Sequence, residues 1–208
     1  LKVCVLLTGL FLAIASSFQS DSIPQLSPTY LLSGNSAINN ADGGQVSPQI
    51  SKGSNGYLTV WQDYRGSLLD YSYNEYDLPA ISELFAARLD VSGNLVDYTP
   101  IKIPAIRPFY YQPDIAWNGQ HWLVTWQERR YDSNNCYGCY ILNGVRVSEQ
   151  GVVMDSTPIQ LGPPSVDFSI TSLTSDGTSW VAIKLPPYSL DGGSITAIRI
   201  APNGQVMD

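Results

Sequence analysis

One short text returns three times along this chain, and no other feature constrains its fold as much. Gly93, Asn94, Leu95, Val96, Asp97 reappears as Gly151, Val152, Val153, Met154, Asp155 and again as Gly204, Gln205, Val206, Met207, Asp208, at intervals of 58 and 53 residues. Upstream of each copy lies a second block: Phe85 to Leu89, Tyr137 to Ile141, and Thr196 to Ile200. Downstream of the first two, Thr99, Pro100, Ile101 is matched by Thr157, Pro158, Ile159. A further block opens each unit. Pro48, Gln49, Ile50 leads through Asn55, Gly56 to Trp61, Gln62, Asp63, and Pro113, Asp114, Ile115 leads through Asn118, Gly119 to Trp126, Gln127, Glu128. The third unit is looser: Ile170 leads through Asp176, Gly177 to Trp180 and Lys184, which stands where the others have Trp, so either this unit diverges or its alignment slips by one residue.

Each opening block reads as strand, turn, strand. Asn-Gly and Asp-Gly accept the positive backbone dihedrals of tight hairpins, and β-branched and aromatic residues fill the flanking runs. A variable loop, a third strand, a Gly-centred turn and a fourth strand complete the unit. No helical periodicity follows the first 15 residues. The predicted fold is therefore all-β, a β-propeller-like array of four-stranded antiparallel blades over residues 46–208, about three blades with the last incomplete. A sandwich also offers many short strands, but it does not require the same strand text to return. Propellers close with about four to eight blades, so the reading is an incomplete propeller, completed by missing blades or by self-association.

The unit resembles the repeat of a family of secreted bacterial β-propellers. Pro113, Ile115, Ala116, Asn118, Gly119, Trp122, Leu123, Val124, Trp126 carries the first half of that pattern, and Leu84 to Leu89 with Cys136, Tyr137, Gly138 carries the second. Many such proteins have no assigned activity, so the resemblance implies fold and secretion and no substrate.

Residues 1–15 read as a signal peptide. Lys2 precedes an apolar run that ends in Ala13, Ile14, Ala15, followed by the polar Ser16, Ser17, Gln19, Ser20. A membrane span needs about 20 apolar residues, which neither this run nor any later one supplies. Residues 16–45 form a lead-in segment to the repeats. The expected location is secreted or cell surface. With 11 Lys and Arg against 18 Asp and Glu, the net charge is −7, so nucleic acid is excluded as a main partner.

Candidate chemistry is sparse. Cys136 and Cys139 have the spacing of a redox pair or half a zinc site, and secretion favours their oxidation. On a third strand, positions i and i+3 lie on opposite faces about 10 Å apart, whereas a bridge needs Cβ atoms about 4 Å apart. A disulfide, two buried thiols, and contact with a metal or partner all stand as readings. His121, the sole histidine, is read as an exposed residue beside a turn. Asp63 and Glu128 recur after the repeated Trp, which argues for a structural carboxylate over a glycosidase pair. Arg88 and Arg199 recur at one position, with Tyr140 between them. No catalytic residue, cofactor or metal site is nominated. Tyr71, Tyr73, Tyr110 and Tyr111 crowd the connections where the units differ in length, and exposed loop aromatics mark binding surfaces. The expected function is a secreted or cell-surface binding module that recognises glycan or protein through these loops. A glycan-active hydrolase or a purely structural assembly protein is the alternative.

Overall fold

A computed structural model describes residues 45–64, 82–105, 113–129, 139–164, 170–185 and 195–207. They form three antiparallel sheets, with no helix among the described residues. The first sheet holds β1 (Gln45–Lys52), β2 (Tyr57–Asp63), β3 (Glu83–Leu89) and β4 (Ile101–Ile103), side by side in chain order. The second repeats that order with β5 (Asp114–Trp117), β6 (His121–Arg129), β7 (Tyr140–Ser148) and β8 (Ile159–Gln160). In the third, β9 (Ile170–Ser175), β10 (Trp180–Leu185) and β11 (Thr196–Ile200) follow the same scheme. The sheets lie face to face, with β5 packed against both β1 and β9.

The turns form where the sequence places them. Asn118 Oδ1 accepts from the backbone N–H groups of Gln120 and His121 at 3.0 and 2.8 Å, and Asp176 Oδ1 accepts from those of Thr178 and Ser179 at 2.8 and 2.7 Å. The Gly-centred turns are one structure in three copies. Gly93, Gly151 and Gly204 take φ of 84°, 81° and 88°, left-handed values that strain any residue with a Cβ. In each copy the turn closes on a backbone bridge: Leu89 to Leu95, Val147 to Val153, Ile200 to Val206.

Sheet packing explains the unbroken apolar text of β6. Side chains alternate between faces along a strand, so Trp122, Val124 and Trp126 point toward the first sheet and join Leu58, Val60, Leu84 and Ala86 in one core. Leu123 points the other way and joins Trp180, Ala182, Ile198 and Ile200 in a second core. Both faces of the central sheet are covered, which favours apolar or internally bonded side chains, although the buried Trp122 and Trp126 Nε1 have no hydrogen-bond partner among the described residues.

Strand registers correct the alignment of the second unit. Tyr57 faces Leu89, Trp122 faces Val147 and Trp180 faces Ile200, so the counterpart of Arg88 and Arg199 is Arg146, not Tyr140. The matching block is Asn143 to Val147 rather than Tyr137 to Ile141. The misalignment arose because the variable loop before β7 carries its own aromatic and Gly residues, which mimic the block. Its consequence for the cysteines is direct: β7 begins at Tyr140, so Cys139 precedes the third strand. By the same registers Lys184 does occupy the position of Trp61 and Trp126, opposite Thr196 where they face Phe85 and Asn143. The third unit diverges there without any slip.

Candidate functional site

The first strands of the three sheets converge on an open cleft of about 390 Å³. Its lining includes one stretch from each unit: Ser51 and Lys52 from β1, Ile115 to Trp117 from β5, and Leu173 to Ser175 from β9. Registers show that these are equivalent positions. Ser51, Ala116 and Thr174 face Leu58, Leu123 and Val181, and the next residues along are Lys52, Trp117 and Ser175. Ile115 and Leu173, both buried, are apolar members of that lining. The repeat therefore fixes the geometry while the residue type at the rim changes from cation to indole to hydroxyl.

Two interactions hold the rim. Trp117 lies against Trp122, ring centroids 4.7 Å apart and tilted by 57°, so its half-buried indole is fixed by the inter-sheet core. Asp114 ties β5 to β9: one carboxylate oxygen accepts from Ile115 N at 2.8 Å and the other from Leu173 N at 2.7 Å. Burial pushes the Asp114 carboxyl above its ordinary value, against the opposing effect of those two N–H donors. Ser175 Oγ donates to Ser179 O and accepts from Gly177 N, which ties the rim to the neighbouring turn. None of the described residues lining the cleft is a carboxylate.

The recurring carboxylates lie elsewhere, each within its own sheet. Asp63 is buried and its Oδ2 accepts from Trp61 Nε1 and Gln45 Nε2, both at 3.3 Å. Glu128 is also buried and accepts from Asn143 Nδ2 at 2.8 Å. His121 is half-buried rather than exposed, because its strand is flanked by two sheets, and its Nδ1 is buried without a hydrogen-bond partner among the described residues. Its backbone N–H is held by Asn118, and among the described residues no carboxylate is hydrogen-bonded to its ring. Cys139 is buried and disulfide-bonded, to a partner outside the described residues. Cys136, Tyr71, Tyr73, Tyr110 and Tyr111 also lie outside the described residues. Among the described residues no group of three or more metal-ligating side chains occurs, and no helix is long and apolar enough to cross a membrane.

The sequence reading missed a second construction, at the outer corner of the units. Arg88 grips Asp97 through Nε and Nη2, at 3.0 and 2.6 Å, and donates from Nη1 to Glu149 O in the next unit at 3.3 Å. Arg146 repeats the arrangement with Asp155 at 3.0 and 2.6 Å and with Pro202 O at 3.2 Å. The hydrogen bonds and charge of each Asp raise the guanidinium above its ordinary value, so both stay charged. The signal was present in the text: Asp97 and Asp155 close the repeated Gly block, and each Arg stands nine residues before its Asp. No protein-family model matches this chain, and no curated protein does.

Proposed function

We propose that this chain is a secreted or cell-surface binding module of β-propeller type, and that the cleft between the first strands recognises glycan. The carrying observation is the lining of that cleft. Equivalent positions of three units bring Lys52, Trp117 and Ser175 into the lining of one cleft together with the apolar Ile115 and Leu173. An indole fixed by packing offers a stacking face for a sugar ring, a lysine and hydroxyls offer polar contacts to its substituents, and an open cleft admits a chain end. The propeller reading is supported by the repeated strand order, the face-to-face sheets and the adjacency of the first strands. Secretion rests on the leader over residues 1–15. The loop tyrosines Tyr71, Tyr73, Tyr110 and Tyr111 are proposed to extend the recognition surface.

The test is a screen of the full chain against glycans and extracellular proteins, followed by Trp117→Ala and Lys52→Ala. Loss of the indole should weaken binding roughly tenfold to a hundredfold, within the range expected when a stacking aromatic is removed. Lys52→Ala should weaken anionic ligands most and leave thermal unfolding unchanged. Binding that survives both substitutions and fails only with Tyr71→Ala, Tyr73→Ala or Tyr110→Ala would move the site to the loops. Intact mass of the exported product should begin at or near Ser16, and retention of the leader on a cytosolic protein would remove the secretion reading.

A further inference from the structure

Given a sugar in the cleft between the first strands, the charge around that cleft selects its class. The position held by Lys52 carries Trp117 in the second unit and Ser175 in the third, so the repeat does not need a cation there to fold. Cations that the fold does use recur instead: Arg88 and Arg146 occupy one register position, and each is bonded to its own Asp. Lys102 is also paired, with Glu83. Lys52 is different. It is exposed, and among the described residues no carboxylate stands within ion-pairing distance of it.

The rest of the cleft supplies no counter-charge. Its described lining holds no Asp or Glu, in a chain whose net charge is −7. Two acidic residues that touch the adjoining segments are committed elsewhere. Asp114 accepts from Ile115 N and Leu173 N through separate oxygens. Glu149 accepts from Asn55 N and Nδ2, in the turn that follows Lys52, at 2.8 and 3.0 Å. The Ser175 hydroxyl is committed too, to Ser179 O and Gly177 N. The Lys52 ammonium is therefore the one charged group in the described lining, and it is uncommitted. Because β5 packs against β1 and β9, Trp117 stands between Lys52 and Ser175 along the rim.

We infer that the cleft, on the glycan reading proposed above, is selective for acidic sugars: a ring stacks on Trp117 and turns a carboxylate or sulfate substituent toward β1, where the Lys52 ammonium meets it. A lone ammonium is a point charge without the planar fork of a guanidinium, so it suits one singly charged substituent of either kind. A neutral sugar keeps the stacking and loses the ion pair. An acidic peptide keeps the ion pair and loses the stacking.

Isothermal titration of the full chain with matched oligosaccharides tests this: an oligogalacturonate against its methyl ester, and a sulfated against a desulfated oligogalactan, with polyglutamate as an acid that carries no ring. At least one acidic member should bind roughly fivefold tighter than its neutral match, the upper end for an exposed ion pair, and the pair that does so distinguishes carboxylate from sulfate. Lys52→Gln should bring that ratio close to unity and Lys52→Arg should keep it, with thermal unfolding showing that both variants are folded. Equal binding of acidic and neutral members overturns the selectivity and leaves the glycan reading standing, as does a ratio that Lys52→Gln leaves unchanged. Polyglutamate that binds as tightly as the acidic sugar also overturns it, since charge alone is then recognised. If the folded chain binds no saccharide at all, the glycan reading itself falls and the selectivity falls with it.

Discussion

The second and third sheets share strand order and register, yet they face different surroundings. In the second, Trp122, Leu123, Val124, Thr125 and Trp126 are all buried, because one sheet lies on each side. In the third, Trp180 and Ala182 are buried but Ile183 is exposed, because among the described residues only one side is covered. The comparison separates what a strand needs to pair from what it needs to be enclosed. Pairing is satisfied in both, and enclosure alone makes β6 uniformly apolar. On that outward face Val181, Ile183 and Ala197 are aliphatic, flanked by Ser172, Thr174 and Arg199, so β10 keeps apolar residues in water that an exposed strand does not require.

Single substitutions should expose this difference most strongly at the plugging Trp. Trp122→Ala removes an indole that is 1% exposed and against which Gly53 is closely packed. About 3–5 kcal/mol of stability should be lost, the range for a buried aromatic leaving a cavity. Ile183→Ala on the third sheet should stay within about 0.5 kcal/mol in chemical denaturation. Similar losses at the two sites would mean that the third sheet is enclosed in solution as the second is.

The corner latch should come next in size. Asp155→Asn leaves Arg146 partly buried without its bidentate partner and loosens its hold on Pro202 O, at a cost of about 2 kcal/mol. Arg146→Lys should recover little, because an ammonium cannot form the fork that reaches Asp155 and the next turn together. The double variant Arg146→Ala with Asp155→Asn should cost clearly less than the two single losses added. Strict additivity in urea unfolding would show that the pair does not act as a unit.

Strand order, turns and the covered faces were legible in the sequence because each has a local signature: Asn-Gly or Asp-Gly at the hairpins, a Gly needing positive φ, and period-two or unbroken apolar runs. The latch was half legible. Asp97 and Asp155 were visible in the repeated block, but Arg146 was passed over for Tyr140 because loops of unequal length erase the spacing that would have counted it in. The cleft was not legible at all. Ser51, Lys52, Trp117 and Thr174 look like ordinary strand ends, and only the stacking of three sheets brings equivalent positions from remote parts of the chain to one rim.

The smallest effect concerns charge, and it contrasts a carboxylate inside the stack with one on a turn. Burial raises the Asp114 carboxyl in the folded protein, so the native state holds its proton more tightly than the unfolded chain does. Its contribution to stability is then present below the unfolded value and is lost as pH rises through the folded one. Asp176 is the reverse: N–H bonds from Ser179 and Thr178 lower its carboxyl, so its contribution is present above the unfolded value and is lost as pH falls through the folded one. Asp114→Asn keeps an oxygen for Leu173 N and removes the charge. Its stability relative to the wild type should therefore rise as the pH is raised from about 3 to about 7. Relative to the wild type, Asp176→Asn should fall over the same range. Urea unfolding at a series of pH values gives both slopes. If the two slopes share a sign, hydrogen bonding from Ile115 and Leu173 outweighs burial at Asp114, and the carboxylate tying β5 to β9 is a favourable anion site rather than a charge the stack tolerates.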